Sequence, residues 1–231
     1  YIGVEQMYTP HQVPWTIQGA RKLMKKVFAL SKKPFYITID TGHQSGQRKF
    51  LRPDYGRLKE LLRVYKNGER INNLWLGPET AYDIFYRAVE APLIEEDSAI
   101  SDIMSEMSKY PYLFSKYEDG DIYIWLEKLG CYSPIIHLQQ TTGNSSSHQP
   151  FTQECNKSGI VFGDRVLKAI KASYGQKAED GMPPMCKKIY LTLEIFSGTS
   201  DINEDIVYKL KESVKYWRTF IPSDGLMLDE L

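Results

Sequence analysis

The sequence predicts an α/β protein built on a parallel sheet, and three observations support this fold class. Short apolar runs rich in β-branched and aromatic residues alternate along the chain with segments of helical periodicity. Each run carries an acid or a histidine near its end, followed by polar turn residues, which is typical of strands that end at a ligand-binding edge. Residues 1–40 have a complete strand–helix–strand pattern, which predicts parallel pairing through a right-handed crossover.

The composition is that of a globular domain without a signature for nucleic acid or membranes. With 42% hydrophobic residues, the 231-residue chain suits one large domain or two small ones, and we treat 1–231 as a single domain. The 29 basic and 29 acidic residues cancel, so no basic surface for nucleic acid is expected. Three widely spaced cysteines indicate free thiols in a reducing compartment. Without a membrane-length apolar run or a signal peptide, a cytoplasmic protein is expected, and homo-oligomerisation stays open.

The first part of the chain predicts a β-α-β unit. Its first strand is predicted over Tyr1–Met7, and a loop with two prolines and His11 follows. Thr16 is a suitable N-cap for the helix that comes next. The apolar stripe of that helix consists of Ile17, Ala20, Leu23, Met24, Val27 and Phe28. Pro34 ends the helix, and the second strand is predicted over Phe35–Ile39.

The middle of the chain is predicted to be helical. One helix should begin near Asp54, and Thr80–Ala91 and Ser98–Met107 also have helical periodicity. We interpret residues of about 74–117 as a helical insertion, or a lid over the site. Ordinary helices packed outside the sheet are an equally good interpretation of the same pattern.

The second half repeats the strand–loop–helix plan. A short helix is predicted over Asp121–Leu129, followed by a strand over Pro134–Gln140. A helix over Arg165–Tyr174 connects this strand to the last one, Ile189–Phe196. The final helix should begin after residues 197–201, which are rich in N-cap residue types. It is expected to face inward through Ile206, Leu210, Val214 and Trp217.

Four polar side chains stand near the ends of the predicted strands: Glu5, Asp40, His137 and Glu194. Parallel pairing would bring them to one edge of the sheet. Any one of them alone is more often a solvated or salt-bridged residue, but four of matching chemistry need a shared partner, because an unpaired buried charge is costly. Three carboxylates and one imidazole suit a divalent metal such as Mg, Mn or Co.

The loops after these strands contain the candidate substrate-binding residues, and all four histidines of the chain lie on strand ends or loops. We assign to this set His11, His43, Gln44, Gln139, Ser146 and His148. His43 could form a hydrogen bond with an oxygen of the reacting substrate. The serines of Ser145–Ser147 and the helix start at Gly198–Ser200 could donate to a phosphate. A plain flexible turn is an equally good interpretation of the serine loop.

This residue set indicates proton-transfer chemistry on a sugar. A metal that chelates adjacent oxygens of a ketose polarises its carbonyl and acidifies the neighbouring C–H group. Glu5 and Glu194, from the first and last units, are the candidates to remove and return the proton through an enediolate. The alternatives are a metal-dependent lyase or hydrolase on the same scaffold, since the same ligands can activate water, and a non-catalytic sugar-binding relative.

The order of these residues resembles a known superfamily. A Glu on one strand, Asp-x-x-His on the next (Asp40–His43), a His on the third and a Glu on the last is similar to the xylose-isomerase-like TIM-barrel superfamily. Its members include ketose 3-epimerases, hydroxypyruvate isomerase, inosose dehydratase and the family-2 apurinic endonucleases. The sequences of Glu5–Thr16, positions 40–44 and His137–Thr141 are similar, more narrowly, to the tetrulose-phosphate racemase/epimerase branch of erythritol catabolism.

This resemblance implies a (β/α)8 TIM barrel and an isomerase that acts on a ketose or its phosphate. It implies that Glu5, Asp40, His137 and Glu194 bind the metal, that Glu5 and Glu194 transfer the proton, and that His43 contacts the substrate. Only about four of eight βα units can be recognised, so we expect the chain to hold the C-terminal half of such a barrel without its N-terminal half.

Two departures from the superfamily bear on the substrate. Gln139 and Gln140 follow His137 where many ketose epimerases carry an acid, and the next arginine along the chain is Arg165. These differences argue against a simple epimerase of free ketohexoses. The zero net charge argues against the endonuclease branch, which needs a basic surface.

Overall fold

The computed structural model describes residues 1–91 and 95–230, and its central feature is a four-stranded parallel sheet. The strands are β1 (Gly3–Glu5), β2 (Tyr36–Asp40), β3 (Ile135–Leu138) and β4 (Tyr190–Leu193), paired in chain order. Each of them overlaps a predicted strand. The predicted α/β fold class is therefore confirmed.

Helices follow the strands and also fill the middle of the chain. They are α1 (Ile17–Ser31), α2 (Gln44–Gln47), α3 (Tyr55–Lys66), α4 (Glu79–Glu90), α5 (Glu96–Lys109), α6 (Ile122–Leu129), α7 (Gln153–Ser158), α8 (Gly163–Tyr174) and α9 (Asn203–Arg218). Tyr1–Gln47 and the chain from Glu118 onward form one compact unit around the sheet, and Arg48–Tyr117 form a second, helical unit. Among the described residues, none of these helices combines the length and the hydrophobicity that a bilayer span requires.

The first β-α-β unit forms as its sequence predicts. Thr16 is the N-cap of α1, and its hydroxyl accepts a hydrogen bond from the backbone N–H of Gly19 at 3.0 Å. Ile17, Ala20 and Met24 are the buried residues of the predicted stripe. The helix ends at Ser31, and its C-cap Lys32 donates its N–H to the carbonyl of Phe28 and has a φ of 58°, in the left-handed region. This turn redirects the chain into β2.

The sheet carries the hydrophobic core of the first unit. Ile37 and Ile39 of β2, Ile136 of β3 and Trp125 of α6 are at most 1% exposed and pack into one cluster with the helices. Burying a side chain of this size stabilises the fold by about 1.5–3 kcal/mol. The two central strands, β2 and β3, are hydrogen-bonded along both edges, so their ends are held in fixed positions.

The outer strands differ from the central ones. Within the described residues, β1 and β4 each pair with a single neighbour, and their residues are exposed or half-buried. A closed (β/α)8 barrel has eight strands and no free edge, whereas this sheet has four described strands and two edge strands. The number of units agrees with the sequence prediction.

The helical unit of residues 48–117 has a core of its own. Its fully buried side chains lie on α3, α4 and α5 and include Leu58, Leu62, Phe85, Ile100 and Ile103. The predicted insertion covered about 74–117, whereas the compact unit also includes α3. Residues 92–94 of the predicted insertion lie outside the described residues. Its suggested function as a lid stays a prediction.

The last helix differs from its prediction in its buried face and in its N-terminal cap. Trp217 and Ser213 are buried, but Leu210 is 41% and Val214 46% exposed, so their predicted inward orientation is wrong. The physical reason is that α9 packs through Ser213 and Trp217, which contact Phe151, and this leaves the side with Leu210 and Val214 exposed. The predicted side-chain cap is also absent, since α9 begins with Ile202 at the N-cap position.

The three cysteines are free, as the sequence predicts. Cys131 and Cys186 are buried in the core of the sheet unit. Burial raises the pKa of both thiols, to about 12 for Cys186, so both remain protonated at neutral pH. They act as small apolar core residues.

Candidate metal centre and active site

Four side chains meet at the carboxyl edge of the sheet: Glu5, Asp40, His137 and Glu194. Asp40 ends β2 in register with His137 of β3, Glu5 ends β1, and Glu194 follows β4 directly. One possible ligand atom of each residue lies within 4.8 Å of those of the other three. The four positions that the sequence singled out are therefore brought together, although they span 190 positions of the chain.

His137 lies between the two glutamates. Its Nδ1 is 3.2 Å from Oε1 of Glu5 and 2.8 Å from Oε2 of Glu194. A ring nitrogen carries one hydrogen and can satisfy one of these carboxylates. The hydrogen bond with Glu5 raises the pKa of His137, burial opposes this effect, and the negative charges of Glu194 and Asp40 add to it. The imidazole is therefore surrounded by acceptors.

Asp40 is the most deeply buried member, with a side chain that is fully inaccessible. Its Oδ1 accepts hydrogen bonds from the backbone N–H of Gly42 at 2.6 Å, the N–H of His43 at 3.2 Å and Nε2 of Gln139 at 2.8 Å. Its Oδ2 is also buried but has no donor. One oxygen of this carboxylate is thus firmly held and the other is left without a partner.

Glu194 has a similar unsatisfied oxygen. Its Oε2 is buried and has no hydrogen-bond donor, despite the nearby ring of His137. Burial and the neighbouring carboxyl of Asp40 together raise the pKa of Glu194 to about 7, although the charge of His137 opposes the shift. Two buried carboxylate oxygens without donors are costly unless a proton or a cation neutralises them.

A divalent cation fits these residues. Mg²⁺ and Ca²⁺ bind oxygen ligands at about 2.1 and 2.4 Å, so two ligands on opposite sides of such an ion lie about 4.2–4.8 Å apart. The four candidate atoms lie within 4.8 Å of one another, and Asp40 and Glu194 each have a buried carboxylate oxygen without a hydrogen-bond donor. Carboxylates with one imidazole also match the ligands that Mg, Mn and Co accept.

His43 and Gln44 lie directly beside this cluster and share one neighbour, Gln6. The Nδ1 of His43 is 2.6 Å from the carbonyl oxygen of Gln6, which can only accept, so Nδ1 carries the proton and Nε2 of the neutral ring is an acceptor. Gln44 is fully buried, donates to Oε1 of Gln6 at 3.2 Å, and has a buried Oε1 without a partner. Tyr8 packs on His43 with ring centroids 4.9 Å apart.

Gln6 was missed by the sequence reasoning. Its side chain is fully buried, and its Oε1 also lies 3.4 Å from the backbone N of Asp40. The sequence contains no local signal for it, because a glutamine after a strand-end acid reveals neither its burial nor its partners. Its contacts with Asp40, His43 and Gln44 form only in the folded chain.

The loop after β3 is attached to the cluster through Gln139. The amide of Gln139 contacts Oγ of Ser146 at 3.1 Å and accepts the backbone N–H of His148 at 2.6 Å. His148 has a φ of 46°, and its ring stacks on Phe196 with centroids 3.8 Å apart and an angle of 6°. The same ring is 6.4 Å from that of His43. Phe196, 62% exposed, is a second neighbour that the sequence reasoning missed.

The other predicted positions are arranged differently. His11 is exposed on the loop between β1 and α1, and within residues 1–91 and 95–230 it forms no hydrogen bond or ion pair with the cluster. Ser145 is exposed, whereas Oγ of Ser147 is buried without a partner. In the stretch 198–200, the backbone N–H of Gly198 already donates to Asp201 at 3.0 Å. That N–H is therefore not free for a phosphate.

Comparisons with known proteins give two informative matches, while no protein-family model matches the sequence. A segment of 104 residues is 30% identical to D-erythrulose 1-phosphate 3-epimerase from Brucella abortus (strain 2308); it covers 45% of this chain and 30% of that protein. A crystal structure of a protein provisionally named xylose isomerase, from Rhodospirillum rubrum ATCC 11170, has a TM-score of 0.50 and 17% identity. This match covers 94% of the chain and 46% of that structure.

The chain thus spans about a third of the sequence relative and about half of the structural one. The structural match extends over nearly the whole chain and supports an α/β fold that corresponds to part of a TIM barrel. The sequence match is to an epimerase of a phosphorylated four-carbon ketose, the branch that the motifs around Glu5, Asp40 and His137 indicate. The chain resembles the xylose-isomerase-like TIM-barrel superfamily in sequence and in fold.

Proposed function

We propose that this chain forms the metal-binding part of a sugar or sugar-phosphate isomerase or epimerase that depends on a divalent metal. The observation that carries the proposal is the cluster of Glu5, Asp40, His137 and Glu194, with two buried carboxylate oxygens that lack a donor. Its place at the carboxyl edge of a parallel sheet is where such enzymes bind their ligands. The names of the Brucella and Rhodospirillum proteins agree with this chemistry.

Each member of the cluster has a proposed role. Glu5, Asp40, His137 and Glu194 would hold a Mg, Mn or Co ion, which supplies Lewis-acid polarisation of a ketose carbonyl. Glu5 and Glu194 would remove and return the proton on the carbon beside that carbonyl. Both place an oxygen within 3.2 Å of the same ring nitrogen of His137, so carboxylates from the two outer units converge on one point.

The surrounding residues would orient the sugar. With Nδ1 held by the carbonyl of Gln6, the neutral ring of His43 offers Nε2 as an acceptor for a substrate hydroxyl. The ring of His148, fixed against Phe196, would form an adjacent flat surface. Ser146 lies beside Gln139 in the same loop and would contribute a hydroxyl. A small phosphorylated ketose is the proposed substrate class.

The proposal is tested by two measurements on the same preparation. Chelator-treated protein is titrated with Mn²⁺ by calorimetry and then incubated in D2O with a phosphorylated tetrulose, with carbon-bound deuterium followed by NMR. We expect stoichiometric Mn²⁺ binding and deuterium exchange beside the carbonyl. Glu194→Gln should lose both, whereas Glu204→Gln, a change at an exposed acid of α9, should keep both.

Other outcomes would redirect the assignment. Release of inorganic phosphate or loss of water from the sugar, without exchange, would indicate a lyase or hydrolase. Sugar binding without turnover in the parent protein, retained in Glu194→Gln, would indicate a non-catalytic relative. Failure of the parent chain to bind any divalent metal would contradict the proposed metal-dependent function.

A further inference from the structure

We propose that Gln139 is a positioning residue that orients Asp40 toward the metal; this inference rests on the proposed metal-dependent function. The sequence suggested that Gln139 contacts the substrate. In the structure its side chain is fully buried, and its amide group joins Asp40 to the loop after β3. These contacts support a role that acts through Asp40 and not on the sugar itself.

The amide of Gln139 determines which oxygen of Asp40 is available to a cation. Its Nε2 donates to Oδ1 at 2.8 Å, the oxygen that also accepts the N–H groups of Gly42 and His43. Rotation of the carboxylate would break three hydrogen bonds to an ionised acceptor, which are among the stronger hydrogen bonds in proteins. Oδ2 is therefore held in the cluster without a donor of its own.

The other end of the same amide holds the loop that carries Ser146 and His148. The Oε1 of Gln139 accepts the backbone N–H of His148 at 2.6 Å. His148 has a φ of 46°, and a left-handed conformation costs a non-glycine residue about 1–2 kcal/mol. A hydrogen bond to that residue's backbone offsets part of this cost. One side chain thus connects a proposed metal ligand with the proposed sugar-binding loop.

The neighbouring residue, Gln140, provides a matched comparison. It is also buried, and its Nε2 donates to Oδ1 of Asn156 at 2.9 Å and to the carbonyl of Val161 at 3.0 Å. Its Oε1 accepts the N–H of Val161 at 3.0 Å. None of these partners belongs to the cluster. Loss of the Gln140 amide should disturb the fold to a similar degree without reaching Asp40.

Each glutamine also packs against a glycine. A Cβ added at Gly42 would lie 2.3 Å from Cδ of Gln139, and one added at Gly159 would lie 2.1 Å from Cδ of Gln140. Both distances are far below van der Waals contact, so alanine at either position must displace the facing amide. The chain therefore offers a second way to move each glutamine, and Gly42→Ala keeps the backbone N–H that donates to Asp40.

The first test compares Gln139→Met with Gln140→Met. Methionine keeps the length of the side chain and removes the amide, and the readouts are the Kd for Mn²⁺ by calorimetry and the midpoint of thermal unfolding without metal. Residues that orient metal ligands typically change metal affinity by about 10–100-fold when they are replaced. We expect at least a tenfold higher Kd for Gln139→Met and a Kd within about twofold of the parent for Gln140→Met, with similar losses of thermal stability.

The second test uses Gly42→Ala and Gly159→Ala, and it decides the matter if Gln139→Met does not fold. Gly42→Ala should weaken Mn²⁺ binding like the loss of the Gln139 amide, whereas Gly159→Ala should not. Equal Mn²⁺ affinities in the two variants of each pair, with a parent that binds Mn²⁺, would overturn the inference about Gln139 and leave the proposed function intact. A parent protein that binds no Mn²⁺ would overturn both.

Discussion

Glu194→Gln should have opposite effects on the metal-free and the metal-bound protein. Glutamine has the shape of the protonated acid but cannot ionise. In the metal-free protein, the ionised carboxylate of Glu194 is half-buried beside Asp40 and has an oxygen without a donor. The substitution removes that unfavourable charge. It should therefore stabilise the metal-free fold at a pH where the parent carboxyl is ionised.

The magnitude follows from the pKa of Glu194, which rises from 4.5 to about 7 in the fold, mainly because of burial. The folded state holds this proton more tightly than the unfolded state, so stability is greatest below pH 4.5 and falls as the pH rises to about 7. At about 1.4 kcal/mol per pH unit, the loss is roughly 3 kcal/mol and is complete above pH 7. His137 adds to the same trend, because its raised pKa also favours the folded state at lower pH.

The assay is urea unfolding in the presence of a chelator at pH 5 and pH 8, for the parent, Glu194→Gln and the control Glu204→Gln. We expect Glu194→Gln to exceed the parent by about 2–3 kcal/mol at pH 8 and by much less at pH 5. Addition of Mn²⁺ at pH 8 should stabilise the parent and the control but not Glu194→Gln. A metal-free Glu194→Gln variant that is less stable than the parent at pH 8 would refute this reasoning.

Three further predictions concern other parts of the structure. Phe196→Ala removes the stack on His148 and should raise the KM for the sugar about fivefold, because an aromatic pair contributes about 1 kcal/mol. The Kd for Mn²⁺ should stay the same. A changed Kd would argue that Phe196 does not act on the sugar alone. Trp125→Ala removes a fully buried ring whose Nε1 donates to the carbonyl of Asp119. Urea unfolding should show that the free energy of unfolding falls by about 3–5 kcal/mol. A decrease below about 1 kcal/mol would contradict the described core. Lys32→Gly relieves a left-handed backbone at the end of α1 and should stabilise the protein by about 0.5–1 kcal/mol, with Lys33→Gly as a control that gives no gain.

The resemblance between the predicted and observed site has a simple physical basis. Strand-end positions are recognisable because an apolar run stops abruptly at an acid or a histidine, as at Asp40 and His137. Parallel pairing then brings such positions to one edge, whatever their separation along the chain. The four cluster residues could therefore be identified from local patterns and one topological rule.

The errors of the sequence reasoning also have physical causes. A helical stripe indicates which face of α9 is apolar, but it does not indicate how much of the facing surface exists. Leu210 and Val214 are exposed because α9 packs through Ser213 and Trp217, which contact Phe151. The suggested substrate contacts of His11 and Ser145, whose side chains are exposed, stay predictions.

The sequence by itself determined the alternation of strands and helices, the caps of single helices such as Thr16, and the identity of the four clustered side chains, because these depend on local periodicity and residue type. The tertiary structure alone decided that Gln6 contacts His43, that Gln139 donates to Asp40, and that Phe196 stacks on His148. It also decided that one carboxylate oxygen each of Asp40 and Glu194 lacks a donor. Hydrogen-bond direction and burial are properties of atoms from distant segments, and no local pattern encodes them.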